Sequence, residues 1–107
     1  MARFKVLQIV VDRDSDESIN TYRDAMMGWT WLTERMSIEQ LYPFYSHVAD
    51  VEAKDEEHAF ELMNVWNDPG AITVLGQMHS LSVGDILVDE NGDHLFCDSF
   101  GFVNFGQ

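Results

Sequence analysis

A nearly continuous apolar run, Phe4-Lys5-Val6-Leu7-Gln8-Ile9-Val10-Val11, constrains the fold of this 107-residue chain more than any other segment. Its β-branched and aliphatic residues mark a strand. A strand with one wet face alternates apolar and polar residues. This one loses the alternation toward its end, so it is expected inside a sheet and covered on both faces. The length fits one domain and leaves no room for two, so residues 1–107 are read as a single unit. With 46% hydrophobic and 12% aromatic residues, the chain can bury a core, and disorder is not expected.

The remaining elements follow along the chain. Asp12 to Ser18 reads as a charged, solvated loop. Ile19, Tyr22, Ala25 and Met26 give weak helical spacing to Ile19–Met27, with Gly28 as a stop. Trp29 and Trp31, with Thr30 between them, are expected on one face of an extended segment. Ser37 and Gln40 fit a capping box for a helix that Pro43 keeps short. Phe44 to Ala53 alternates as a half-exposed strand, with Val48 breaking the pattern. Asp55 caps the best-marked helix: Glu56 and Glu57 occupy its first turn, Ala59, Phe60, Met63 and Val65 or Trp66 recur along it, and Asn67-Asp68-Pro69-Gly70 ends it. Ala71 to Leu75 reads as a short strand or an extended loop. Ser80 to Asp85 is a turn feeding Ile86-Leu87-Val88. Asn91-Gly92 signals a hairpin returning through His94 to Ser99, and Phe100 to Phe105 alternates aromatics with small or polar residues. This order predicts an α+β fold, an antiparallel or mixed sheet of four to five strands with two to three helices packed on it.

Charge limits what such a domain can bind. Nineteen acidic residues against six basic ones give a formal net charge of −13, and ten acids follow Lys54, the last basic residue. Direct contact with nucleic acid is disfavoured, because phosphate binding needs a Lys/Arg surface that releases counterions. Anionic membranes are disfavoured for the same reason, and no apolar run approaches the roughly 20 residues of a membrane span. No signal peptide is expected after Met1-Ala2-Arg3-Phe4-Lys5, and the lone Cys97 cannot form an internal disulfide. A cytoplasmic setting follows. A basic partner, by contrast, would be attracted with a salt-dependent encounter rate.

Catalytic and metal signatures are not found. Asp12, Asp14 and Asp16 resemble a calcium loop, but such a loop needs Gly sixth and an acid twelfth, where Glu17 and Arg23 stand. In Asp89-Glu90-Asn91-Gly92-Asp93 the glycine comes two places too early. His47, His58, His79 and His94 lack zinc-site spacing. The strand register of Leu95-Phe96-Cys97-Asp98 makes Cys97 a buried, inert thiol. Gly101 and Gly106 open no helix and so form no phosphate loop. No catalytic residue, cofactor or metal is therefore assigned. Most aromatics are expected in the core. Base stacking by Trp29, Trp31, Trp66, Phe100, Phe102 and Phe105 would need a positive groove.

The segment Met78-His79-Ser80-Leu81-Ser82-Val83-Gly84-Asp85-Ile86-Leu87-Val88, followed by Cys97-Asp98-Ser99-Phe100-Gly101-Phe102, resembles the hallmark of YodL-like domains. These are small domains frequent in bacteriophages and mobile elements. Tyr45 to Ala53 and Ala59 to Asn64 resemble the strand and helix before that hallmark, and Phe4 to Ile9 with Tyr22-Arg23 match its opening loosely. The resemblance covers residues 45–105 and departs in the Trp29/Trp31 segment and in the low basic content. It implies a phage or mobile-element origin, supplies no catalytic residues, and makes the Ser82–Asp85 turn and the Asp98–Phe102 strand fold-defining.

The expected function is non-enzymatic: an acidic interaction protein that binds and blocks or redirects a basic or nucleic-acid-binding host protein. A sharper form is a charge mimic of nucleic acid acting as an inhibitor of a defence nuclease, restriction enzyme or polymerase. Asp50, Glu52, Asp55, Glu56, Glu57 and Glu61 are the candidate contact residues, with Trp29 and Trp31 as an anchor if exposed. The alternatives are a homo-oligomeric assembly component using the two tryptophans and a small-ligand or metal-dependent enzyme using Cys97 or His79.

Overall fold

A computed structural model describes residues 1–107. One antiparallel sheet of six strands takes residues from both ends of the chain, in the order β3-β2-β1-β4-β5-β6. The strands are β1 (Ala2–Ile9), β2 (Tyr45–Ala53), β3 (Ile72–Val74), β4 (Ile86–Val88), β5 (His94–Asp98) and β6 (Gly101–Gly106). Four α-helices accompany them: α1 (Asp16–Met26), α2 (Trp29–Thr33), α3 (Ile38–Leu41) and α4 (Glu56–Val65). The α+β class and the antiparallel sheet are those expected. The strand and helix numbers each exceed the expectation, because Ile72–Val74 joins the sheet edge and Trp29–Thr33 is helical. No helix is long and apolar enough to cross a membrane.

β1 is the inner strand that its composition demands. It pairs with β2 on one side and β4 on the other, and its side chains divide between two cores. Phe4 and Val6 join Val51, Ala53, Leu87 and Leu95 under α4, which contributes Ala59, Leu62 and Met63. Leu7 and Ile9 join Ile86 and Phe96 under α1, α2 and α3, through Ala25, Leu32 and Leu41. Each fully buried aliphatic or aromatic side chain contributes about 1.5–3 kcal/mol, so this strand alone draws the helices onto both faces. In α4 the buried side is Ala59, Leu62 and Met63, while Phe60, Val65 and Trp66 are exposed. The expected apolar stripe is thus rotated, because Leu62 at i+3 from Ala59 sets the inward face.

Two irregularities explain where the sequence pattern slips. β2 carries a bulge opposite Val6 and Leu7, which face Ala49 and His47 and leave Val48 as the extra residue. Val48 and Ala49 are both buried as a result. The slip also puts Tyr45 and His47 on the face of Asp50 and Glu52 instead of that of Ala49 and Val51. The Asp12–Ser18 stretch is not all loop. α1 starts at Asp16, with Ser15 accepting a hydrogen bond from Ser18 N at 3.2 Å as its cap. At Ser37 the anticipated reciprocal cap forms, with Ser37 N donating to Gln40 Oε1 at 2.9 Å and Gln40 N to Ser37 Oγ at 3.2 Å.

The β4–β5 hairpin uses three loop residues, Glu90, Asn91 and Gly92. Gly92 N donates to Asp89 O, and only Gly92 takes a positive φ, at 86°. This is the longer of the common hairpin loops, and the two-residue Asn-Gly turn does not form. Gly84, in the turn before β4, has a φ of 102°, and a Cβ built there would sit 3.0 Å from the Ala25 backbone. Gly84→Ala should therefore strain the backbone and push α1 off the sheet, at a cost of about 2–3 kcal/mol. A fall in the urea midpoint at unchanged slope would show it.

Candidate interaction surface

The six candidate carboxylates do not form one stripe. Asp50 and Glu52 alternate along β2 with Val51 and Ala53, which lie in the core beneath α4, so the two acids face away from that helix. Their register partners on β1 are Lys5 and Arg3. Arg3 Nη2 lies 3.1 Å from Asp50 Oδ2, and His47 Nε2 lies 2.7 Å from Oδ1. Burial pushes the Asp50 carboxyl up, but the hydrogen bonds and charges of His47 and Arg3 outweigh it and hold the group below its ordinary value. Asp50 is thus paired within the chain, while Glu52 enters no ion pair.

Asp55, Glu56, Glu57 and Glu61 lie on the opposite face, on and before α4. Asp55 Oδ1 accepts from His58 N at 2.8 Å as the helix cap. None of the four enters an ion pair, and Glu57 and Glu61 are i,i+4 neighbours of like charge. Beside them stand exposed apolar groups: Phe60 (38% exposed), Val65 (61%) and Trp66 (41%). Trp66 ends the helix at a φ of 58°, the one residue other than glycine in the left-handed region. A bulky side chain there costs about 1–2 kcal/mol, so the fold holds an exposed indole at the end of an acidic helix against a local penalty.

Trp29 and Trp31 do not form a pair, and the expectation of a shared face is overturned. Helical geometry separates positions i and i+2. Trp29 turns inward with Leu32, its ring 5.2 Å from both Phe96 and Phe105 and stacked on the latter at 26°. Trp31 lies outside, with its Nε1 donating to Asp24 Oδ1 at 3.0 Å and the Arg35 guanidinium 3.3 Å above its ring. Of the proposed anchor, only Trp31 is at the surface, and it is already engaged.

A buried polar network escaped the sequence reading. Gln8, fully buried inside the apolar run, donates through Nε2 to His79 O at 2.9 Å and to Asp85 Oδ2 at 3.1 Å. Its Oε1 accepts from His79 N at 3.1 Å. Asp85 Oδ2 also accepts from Ser82 N at 2.9 Å, while the backbone of Asp85 and Gly84 exchanges hydrogen bonds with Cys97. The Tyr45 hydroxyl donates to Gly84 O, and burial followed by the Asp85 charge raises its pKa. A cleft of about 260 Å³ with Arg13, Tyr22 and His79 in its wall opens beside the network. No fully buried side-chain nitrogen or oxygen is left without a partner, so the network fixes the Leu81–Ile86 turn against β1. Burial first, then Asp85 and Asp98, pushes the Cys97 thiol up to about 12, so it is a protonated thiol at neutral pH and a poor nucleophile.

The other tested groups are engaged locally. Asp12 Oδ1 accepts from Asp14 N at 3.0 Å, and Asp16 belongs to α1. Asp89 Oδ1 accepts from Asn91 N and Asp93 N within its hairpin. His58 Nδ1 accepts from Lys54 N at 3.0 Å. The four histidines occupy four separate places. Compared with known protein families, with curated proteins and with solved structures, the chain finds no match.

Proposed function

We propose that this protein acts without chemistry of its own, as an acidic interaction protein that docks on a positively charged host protein and blocks or redirects it. The observation that carries this reading is the surface of α4, where Asp55, Glu56, Glu57 and Glu61 stand free of ion pairs beside exposed Phe60, Val65 and Trp66. Carboxylates steer a basic partner and set its register, while the aromatic and aliphatic groups supply the desolvated contact that holds it. A nucleic-acid-binding groove is the partner that fits best, because it is built to receive closely spaced negative charge. The resemblance to YodL-like domains supports a phage or mobile-element origin and action in the host cytoplasm. The homo-oligomer reading loses its tryptophan anchor, and two copies at a net charge of −13 each repel.

The immobilised protein, exposed to host extract, should retain a nucleic-acid-binding protein at about 50 mM salt and release it at about 500 mM, where the Debye length is only a few ångströms. Duplex DNA should compete with that retention. Combining Glu56→Gln, Glu57→Gln and Glu61→Gln should weaken it about tenfold or more, mainly through a slower association rate. Retention that ignores both the DNA and the three substitutions sinks the proposal.

A further inference from the structure

A slot of about 460 Å³ opens on the face of the sheet opposite α4, between α3 with its following 3₁₀ turn and the β5–β6 pair. Ile38, Glu39, Tyr42, Pro43, His94 and Phe105 form its wall. Three rings meet there: Tyr42 against His94 with centroids 5.4 Å apart at 67°, and His94 against Phe105 at 5.5 Å and 44°. His94 is fixed by both nitrogens. Nδ1 lies 3.0 Å from Gly106 O, a carbonyl that can only accept, so Nδ1 carries the proton. Nε2 lies 3.0 Å from the Tyr42 hydroxyl. Held at both nitrogens, its ring joins Tyr42 and Phe105 in the aromatic wall.

We infer that this slot is a binding site for an organic cation, an alkylated ammonium group above all. Aromatic faces carry negative quadrupole charge and attract a desolvated cation lying within about 6 Å of the ring. Glu39 adds a formal negative charge at the rim and makes no ion pair. None of the six basic residues lines the slot. An anion would meet both this carboxylate and the negative field of the whole chain. A neutral apolar group would fill the space but leave Glu39 unused. The volume lies within the range of sites that enclose small organic ligands. It admits a quaternary ammonium head with a short chain, whether that head is a free molecule or the end of a methylated lysine on a partner.

The test is a ¹H–¹⁵N NMR titration of the labelled full chain with three probes: choline, its neutral isostere 3,3-dimethyl-1-butanol, and a short peptide carrying one trimethyllysine. Choline should produce saturable shifts confined to residues 38–44, His94 and Phe105, with affinity at least about tenfold above the isostere. Glu39→Gln, a surface change that leaves the cap and the rings in place, should weaken choline about three- to tenfold. Binding of the peptide without choline assigns the cation to a partner chain, and equal binding assigns it to a free ligand; either supports the site. Equal affinity for the isostere, shifts scattered over the acidic surface, or no shift with any probe overturns it. The slot and α4 lie on opposite faces, so failure here leaves the docking proposal standing and the reverse is also true.

Discussion

Replacing Trp29 with alanine is expected to lower stability by about 3 kcal/mol, while the same change at Trp31 costs less than about 1 kcal/mol. The two residues are alike in type and two positions apart, so the contrast isolates their surroundings. Trp29 packs between Phe96, which is fully buried, and Phe105, and its backbone N–H donates to Asp98 Oδ1 at 3.3 Å. Truncating the indole opens a cavity where α2 meets β5 and β6, and α2 has only five residues to hold it in place. Trp31 is 38% exposed. Its loss removes one surface cation–π contact with Arg35 and one hydrogen bond to Asp24, both of which water replaces. Urea unfolding followed by circular dichroism gives both numbers without relying on the fluorescence of the residue removed. Equal losses at the two positions would mean that α2 is extended in solution and that both indoles share a face.

That contrast also shows what the residue pattern could and could not convey. The inner position of β1 was legible because a strand buried on both faces has no choice but continuous apolar residues. The Ser37–Gln40 and Asp55 caps were legible because hydrogen-bond chemistry at helix starts is local. The helical state of Trp29–Thr33 was not. Five residues with two aromatics and two threonines favour an extended chain by propensity, and only packing of Trp29 and Leu32 on Phe96 reverses that preference. The bulge at Val48 was visible only as a broken alternation, since which residue is extra depends on the partner strand. Gln8 was hidden for a related reason. A lone polar residue in an apolar run says nothing of its partners, and these lie more than 70 positions away, at His79 and Asp85. The acidic surface was half legible: counting charges gave its size, but strand alternation and the α4 packing face divide it between two faces, with Asp50 paired on one and the α4 acids unpaired on the other.

Stability should rise as pH falls from about 7 to about 4, and Asp85→Asn should remove much of that rise. Burial pushes the Asp85 carboxyl up to about 6, against the opposing pull of the Ser82 hydrogen bond, the His79 charge and Gln8. In the unfolded chain the same group titrates near 3.9. Between these values the folded state holds the proton and the unfolded state does not. Folding is therefore favoured by acid across this window and loses that advantage as pH climbs through about 6. A difference of roughly two units corresponds to about 2–3 kcal/mol. Asp50 works in the opposite sense: its value is depressed, so its contribution is present above the ordinary carboxylate range and is lost only on stronger acidification. Any effect of the chain's overall negative charge is common to wild type and variant. The difference between the two profiles thus isolates residue 85, with His79, 3.9 Å from its carboxylate, kept in both proteins. The Asp85→Asn amide keeps a carbonyl oxygen for Ser82 N and Gln8 Nε2 and carries no charge to bury. The variant should therefore match or exceed wild-type stability near pH 7 and fall behind it at about pH 4.5, between the two carboxyl values. Parallel profiles would mean that Asp85 is hydrated in solution, and that the turn before β4 does not close over Gln8 as the structure has it.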